Sequence, residues 1–236
     1  MTGRLHLVGG GWGGRAEPWR GFVEDARAAG GREVPRIAVL SVRDGDEDDH
    51  AAKLIEAVTL AGPIEARVAT ARHGGSLDPA VLDEADGVLV GGGLTPAYLD
   101  AVLPLADRIR ALVAAGRPYA GFSAGSAIAA RHALLGGWRH HGVPVLDPDF
   151  GEDRDELLVR DGLGLAALTI DVHAAQWGTL ARLITAVGGG VVPEGAAIDE
   201  DTALVLGDAA TIAGAGNVWW VSSGDGAVAV RREPAG

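Results

Sequence analysis

The sequence predicts an α/β protein with a three-layer, doubly wound and mostly parallel sheet, helices on both faces, and edge strands near the C-terminus. Three observations predict this class. Short apolar runs bounded by glycine alternate with segments of helical periodicity through the first half of the chain. Each of these runs is apolar enough for a strand that is buried inside such a sheet. Further along, β-rich segments are separated by Gly-Asp and Gly-Asn turn signals.

The first half of the chain is a regular repeat of strand and helix. Glycine follows each predicted helix, because it adopts the left-handed conformation that ends a helix without strain. The predicted strands are Leu5–Val8, Arg36–Val42, Ile64–Ala69, Gly87–Val90 and Pro118–Phe122. The predicted helices are Trp19–Ala29, Glu47–Leu60, Ala97–Ala115 and Ala124–Leu135.

The second half is less regular. Residues 136–161 mix glycine, proline, histidine and acids, and are predicted to form a surface loop. A strand over Ala167–Val172 and a helix over Trp177–Val187 are predicted to follow. The last predicted strands are Thr202–Leu206, Thr211–Ala213 and Val218–Ser222. No repeat, low-complexity tract or linker divides the 236 residues, so we expect a single domain over 1–236.

Composition excludes several classes of function. A formal net charge of −12, with no basic patch, repels phosphate backbones and anionic lipid, so no nucleic-acid or membrane partner is expected. The absence of cysteine excludes disulfides, thiolate nucleophiles and thiolate metal ligands. No signal-peptide pattern is present and no apolar run approaches about 18 residues, which predicts a cytoplasmic protein.

The most informative segment is Gly121-Phe-Ser123-Ala-Gly125, a G-x-S-x-G pattern between a predicted strand and a predicted helix. This is the pattern of a nucleophile elbow, in which the serine occupies a strained turn and small neighbours let the backbone pass closely. The hydroxyl of Ser123 is then expected to project into a crevice. The backbone N–H of Ala124, at the start of the helix, is expected to stabilise an oxyanion.

A second glycine segment, Gly91-Gly92-Gly93, follows another apolar strand. Because ligands bind outside the carboxyl ends of parallel strands, the amides of Gly92 and Gly93 are expected to face Ser123.

A serine nucleophile also needs a base, and His173 is the best placed histidine because it ends an apolar strand just before a helix. His50 and His73 are predicted to be solvated. His132, within the predicted helix after Ser123, is predicted to point away from it. His140 and His141 have no further metal ligands at a suitable spacing, so no metal is expected.

Two other patterns are less specific. Gly9–Gly14 fits G-x-G-x-x-G after a strand, with Asp44 as a candidate ribose ligand. Trp12 and Arg15 crowd that loop in a glycine-rich chain, so no dinucleotide is expected. Residues 44–55 resemble a calcium loop but lack its glycine and its final glutamate, and are predicted to be an acidic helix start. No cofactor is therefore predicted.

Taken in order, several segments resemble one known family, the cyanophycinase and dipeptidase E group of serine peptidases. The segments are Val90–Gly93, Ala120–Gly125, Gly162–Leu165 with Ile170–His173, Leu180–Leu183 and Ala197–Leu204. The resemblance implies a flavodoxin-like fold similar to that of class I glutamine amidotransferases. Classical amidotransferases carry cysteine at the elbow, and this chain has none.

Carried over by position, the resemblance implies Ser123 as the nucleophile, His173 as the base, and Gly92 or Gly93 with Ala124 as oxyanion donors. It also implies an acid shortly after the nucleophile helix. The candidates are Asp147, Asp149, Glu152, Asp153 and Asp155, and the sequence does not choose among them; a dyad without an acid also stays open.

The chain departs from cyanophycinases at several positions. Gly93-Leu94 and Val172 replace polar residues of that family, and Ala174–Trp177 replaces an arginine-rich helix start. These departures argue against recognition of β-aspartyl-arginine.

The function predicted is a serine-type peptidase or amide hydrolase that acts on a small peptide or peptide-like substrate through an acyl-enzyme on Ser123. Two alternatives stay open: a non-catalytic, amidotransferase-like binding protein, and an α/β-hydrolase-type esterase. Trp219 and Trp220 are expected to lie in the core or at a homodimer interface.

Overall fold

The structure is a computed structural model that describes residues 2–224 and 226–236. Its strands are β1 (Leu5–Val8), β2 (Arg36–Arg43), β3 (Glu65–Arg72), β4 (Gly87–Val90), β5 (Tyr119–Phe122), β6 (His132–Leu134), β7 (Arg139–His140), β8 (Val143–Pro144), β9 (Val159–Asp161), β10 (Thr169–Val172), β11 (Glu194–Ile198), β12 (Thr202–Leu206), β13 (Thr211–Gly214), β14 (Asn217–Gly224) and β15 (Ala227–Pro234). Its helices are α1 (Glu17–Gly30), α2 (Glu47–Thr59), α3 (Thr95–Val102), α4 (Ala106–Ala114), α5 (Ala124–Ile128), α6 (Ala174–Trp177) and α7 (Leu180–Gly188).

Seven strands form the main sheet, in the order β13-β12-β1-β5-β4-β2-β3. The five strands from β1 to β3 in this order are parallel. At the other edge, β12 is antiparallel to β1, and β13 is antiparallel to β12. The predicted mostly parallel sheet with C-terminal edge strands is therefore confirmed.

Alternate residues of the central strands pack on opposite faces of this sheet. In β2, Ile37 and Val39 pack with α1 and α2, whereas Ala38 and Leu40 pack with α3, α4 and α5. The sheet thus lies between two helical layers, as the apolar runs predicted.

A second sheet was not predicted. It has the order β10-β11-β14-β15, in which β10 and β11 are parallel and the other pairs antiparallel. Ile170 of β10 and Ile198 of β11 belong to the same hydrophobic cluster as Leu7 of the main sheet. This shared cluster supports the single domain, which stays a prediction.

Three helix predictions need correction. Pro104 interrupts the predicted helix 97–115 between α3 and α4, because proline lacks an N–H and restricts the preceding residue. The predicted helix 124–135 ends at Ile128, whose carbonyl accepts from Leu163, and β6 then pairs with β9. The predicted helix 177–187 begins at Leu180 as α7, because Trp177 is the last residue of α6, which Gly178 ends with a φ of 74°.

Residues 136–161 contain β7, β8, β9 and a short 3₁₀ segment, and so are more ordered than the predicted loop. Trp219 and Trp220 are half-buried, and their indole N–H groups donate to Asp199 and Glu233 respectively. None of the described helices has the length and apolar composition needed to cross a membrane.

Candidate active site at the carboxyl ends of the strands

Ser123 stands between β5 and α5 in a conformation that side chains rarely adopt, with φ of 52° and ψ of −112°. The turn is possible because both flanking glycines allow close backbone approach. A Cβ on Gly121 would lie 2.5 Å from the backbone of Gly125 and Ser126, and one on Gly125 would overlap the carbonyl of Val90. The spacing of the G-x-S-x-G pattern therefore has a steric cause.

His173 meets Ser123 at the end of β10. Its Nε2 lies 2.8 Å from Oγ of Ser123, and both side chains are more than nine-tenths buried. On the other side of the ring, Nδ1 lies 2.7 Å from Oε1 of Glu200. The three side chains form a continuous hydrogen-bonded series in which the acid orients the imidazole.

Glu200 was missed by the sequence reasoning. It follows β11, which lies parallel to β10 in a register that pairs Val172 with Ile198. His173 and the residues after Ile198 consequently leave the sheet at the same edge. Two signals were present: an apolar run at 196–198 followed by three acids, and the location of those acids in a segment that resembled the family.

The five acids proposed from sequence lie elsewhere around the site. Asp155 accepts from the Trp138 indole and pairs with Arg139, and Asp147 caps the 3₁₀ segment 148–150. Glu152 accepts the N–H of Thr95 at 2.9 Å. Asp149 and Asp153 are exposed. None of the five has a described contact with His173.

Burial governs the electrostatics of the site. Desolvation lowers the pKa of His173 below its ordinary value, and the hydrogen bond and charge of Glu200 oppose that effect. Burial raises the pKa of Glu152, and the hydrogen bond from the Thr95 amide partly opposes this rise. A neutral His173 with a carboxylate at Nδ1 has Nε2 free to accept a proton.

The Gly9–Gly14 segment supports this histidine. The N–H of His173 donates to the carbonyl of Gly9, and the N–H of Asp201 donates to that of Gly10. A Cβ on Gly10 would overlap the imidazole of His173. The G-x-G-x-x-G match therefore has a structural explanation in the close packing of this loop.

The backbone amides predicted to hold an oxyanion are not equivalent. The N–H of Gly92 donates to Nε2 of His50 at 3.2 Å. His50 is buried, contrary to the sequence expectation, and desolvation lowers its pKa to about 4, so it is a neutral acceptor near pH 7. The N–H groups of Gly93 and Ala124 have no acceptor among the described residues.

A cavity of about 850 Å³ opens beside Ser123 and His173. Four aromatic side chains line it: Trp12, Trp138, Phe150 and Trp177. Its charged lining consists of Arg43, Asp149, Glu152, Asp153, Arg154 and Asp155. In the described part of the chain, no group of three or more His, Asp or Glu side chains is arranged to hold a metal ion. The cavity is large enough for a small peptide.

Comparison with known proteins agrees with the predicted resemblance. Residues 64–135, which include β4, β5, Ser123 and α5, match the sequence model of peptidase family S51. This match confirms the resemblance to the cyanophycinase and dipeptidase E group. None of the curated proteins matches the chain significantly.

Two solved structures share the fold. A peptidase from an acI-B1 Actinobacterium superposes with a TM-score of 0.68 at 19% identity, over 100% of this chain and 96% of the other. A putative peptidase E protein from Listeria monocytogenes EGD-e superposes with a TM-score of 0.55 at 16% identity, over 90% of this chain and 98% of the other. The chain therefore has the flavodoxin-like fold of these two structures.

Proposed function

We propose that the protein is a serine hydrolase that cleaves an amide bond in a small peptide or peptide-like substrate through an acyl-enzyme on Ser123. The observation that carries this proposal is the hydrogen-bonded series from Ser123 through His173 to Glu200, beside an open cavity. The peptidase family match over 64–135 supports the choice of reaction.

In the first half of the reaction, Oγ of Ser123 attacks the carbonyl carbon while Nε2 of His173 takes the hydroxyl proton. The carbonyl oxygen becomes an oxyanion. We assign its stabilisation to the N–H groups of Gly93 and Ala124, since the Gly92 amide is engaged by His50. Each such donor contributes about 3 kcal/mol in comparable sites. Gly92 then has an indirect role, because its bond to His50 fixes the glycine segment opposite Ser123.

The intermediate collapses when Nε2 returns the proton to the leaving amine, and the acyl group stays on Ser123. Water then attacks the acyl carbon while Nε2 accepts one water proton, which it gives back to Oγ as the acid product leaves. Throughout, Glu200 keeps Nδ1 protonated and stabilises the charged ring. This sequence of steps returns every residue to its starting protonation state.

The test is intact-mass spectrometry after treatment with a fluorophosphonate, which phosphonylates an activated serine. We expect one equivalent on the wild-type chain, none on Ser123→Ala, and strongly slowed labelling of His173→Ala. Ser222→Ala is the matched control, because Ser222 is exposed on β14 and lies in the other sheet. It should be labelled like the wild type.

Peptide cleavage is then followed by chromatography and mass spectrometry with a set of small amides, dipeptides and esters. Labelling with amide cleavage supports the proposal. Labelling with ester cleavage alone favours an esterase. A folded protein that is not labelled, yet gains thermal stability on adding peptides, would be a binding protein.

A further inference from the structure

Trp177 lies flat on the imidazole of His173. The two ring centroids are 3.7 Å apart and the ring planes differ by 6°. The contact covers one face of the histidine, whereas Ser123 and Glu200 contact its two nitrogens in the plane of the ring. The imidazole is therefore held by contacts in two perpendicular directions.

Local backbone geometry places the indole there. His173 has a left-handed conformation, with φ of 57° and ψ of 38°, and the single turn of α6 brings Trp177 back above it. The N–H of Trp177 donates to the carbonyl of His173 at 2.9 Å. Residues four apart on a helix share one face, and Gly178, with φ of 74°, ends the turn.

The indole also has a second aromatic neighbour. Phe150 stacks on Trp177, with centroids 5.1 Å apart and planes 17° apart. The carbonyl of Phe150 accepts from the buried Arg182, which forms a bidentate pair with Asp171 two residues before His173. Through Arg182 and Asp171, Phe150 is thus connected by hydrogen bonds to β10, the strand that ends just before His173.

We propose that Trp177 is a positioning residue for His173, whose indole aligns the ring with Ser123 and stabilises the positive charge that the ring acquires during the reaction. The inference rests on the proposed function, in which His173 takes the Ser123 proton. A cation over the face of tryptophan is attracted by the ring quadrupole, and more strongly where water is excluded. The neutral ring gains much less, so the stack favours the charged state.

Other charges also face His173. Glu200 lies at Nδ1 and favours the imidazolium; Asp171 acts in the same direction, and Arg182 opposes it. Because Asp171 and Arg182 are paired with each other, their effects on the ring largely cancel. Glu200 and Trp177 therefore both stabilise the charged imidazole against the desolvation that burial imposes on it.

The experiment measures the His173 imidazole directly, by NMR titration of histidine labelled at Cε1 in the Ser123→Ala chain, with His173→Gln for assignment. Trp177→Leu keeps an apolar side chain over the ring but removes its quadrupole. We expect the pKa of His173 to fall by about 0.5 to 1 unit in Trp177→Leu and by less in Trp177→Phe.

Trp138→Leu is the matched control, because Trp138 lines the same cavity but stacks with Arg139 instead of His173. It should leave the His173 pKa unchanged. If the pKa stays constant or rises in Trp177→Leu, the indole acts only by burying the ring, and the inference is overturned. Trp177→Phe provides the same comparison should the leucine variant fail to fold.

A second readout separates this inference from the proposed function. With Ser123 present, Trp177→Leu should be labelled by the fluorophosphonate about 3- to 30-fold more slowly than the wild type. Absence of labelling in the wild type would contradict the proposed function, while a shifted pKa would still support the stack. Normal labelling of Trp177→Leu with an unshifted pKa would contradict only the role of Trp177.

Discussion

Oε1 of Glu200 lies 2.7 Å from Nδ1 of His173. The backbone N–H of each residue is hydrogen-bonded to a third residue. The N–H of His173 donates to Gly9, and the N–H of Glu200 donates to the side chain of Gln176 on α6. The contact between Glu200 and His173 connects the residues that follow two neighbouring parallel strands, β10 and β11. The imidazole is consequently oriented before any substrate enters.

We expect Glu200→Gln to lower kcat/KM by about 10²- to 10⁴-fold, because the amide neither favours the required tautomer nor stabilises the imidazolium. Steady-state kinetics on a cleaved amide measures this loss. Glu152→Gln is the matched control, since Glu152 lines the same cavity but has no described contact with His173. Comparable losses in both variants would argue against Glu200 as the orienting acid.

The pH dependence of kcat/KM should show an acidic limb with an apparent pKa below 6.5. Burial disfavours the charged ring, so the pKa of His173 lies below its ordinary value of 6.5. Activity requires the neutral ring, and is therefore full above the limb and lost as pH falls through it. Removing the Glu200 charge should move the limb to still lower pH, and an upward shift would contradict this assignment.

Gly10→Ala should reduce kcat/KM by about 100-fold or more, because a Cβ at Gly10 would displace the imidazole from Ser123. The matched control is Gly14→Ala. Both glycines have positive φ, 98° and 65°, so both variants incur backbone strain. Gly14 has nothing within 4 Å of its Cβ position, and its variant should keep its activity. Equal kinetics in the two stable variants would refute steric control by Gly10.

The cavity should favour cationic over anionic substrates. Four carboxylates and two guanidinium groups line it. Arg43 is paired with Asp46 and Asp155 with Arg139, which leaves three carboxylates and the Arg154 guanidinium. In a series of amides that differ only in side-chain charge, we expect the highest kcat/KM for the cation and the lowest for the anion. The difference should shrink as ionic strength rises. An anionic preference at low salt would contradict this prediction.

The sequence by itself determined the parallel sheet, the strained turn at Ser123 and the strand-end position of His173. These features depend on local patterns: continuous apolar runs, glycines at fixed spacing and a strand followed by a helix. At Gly121 and Gly125 another backbone segment lies too close for a side chain, so both positions require glycine. That requirement can be recognised from the residue type alone.

Only the tertiary structure decided the acid partner of His173. Glu200 is 27 residues away in sequence and reaches the ring because β11 pairs with β10, a register that depends on side chains from several distant segments. The same applies to His50, which looked solvated but is buried against Gly92. Strand pairing is a non-local choice, made by the packing of the whole core, so no pattern confined to one segment could specify it.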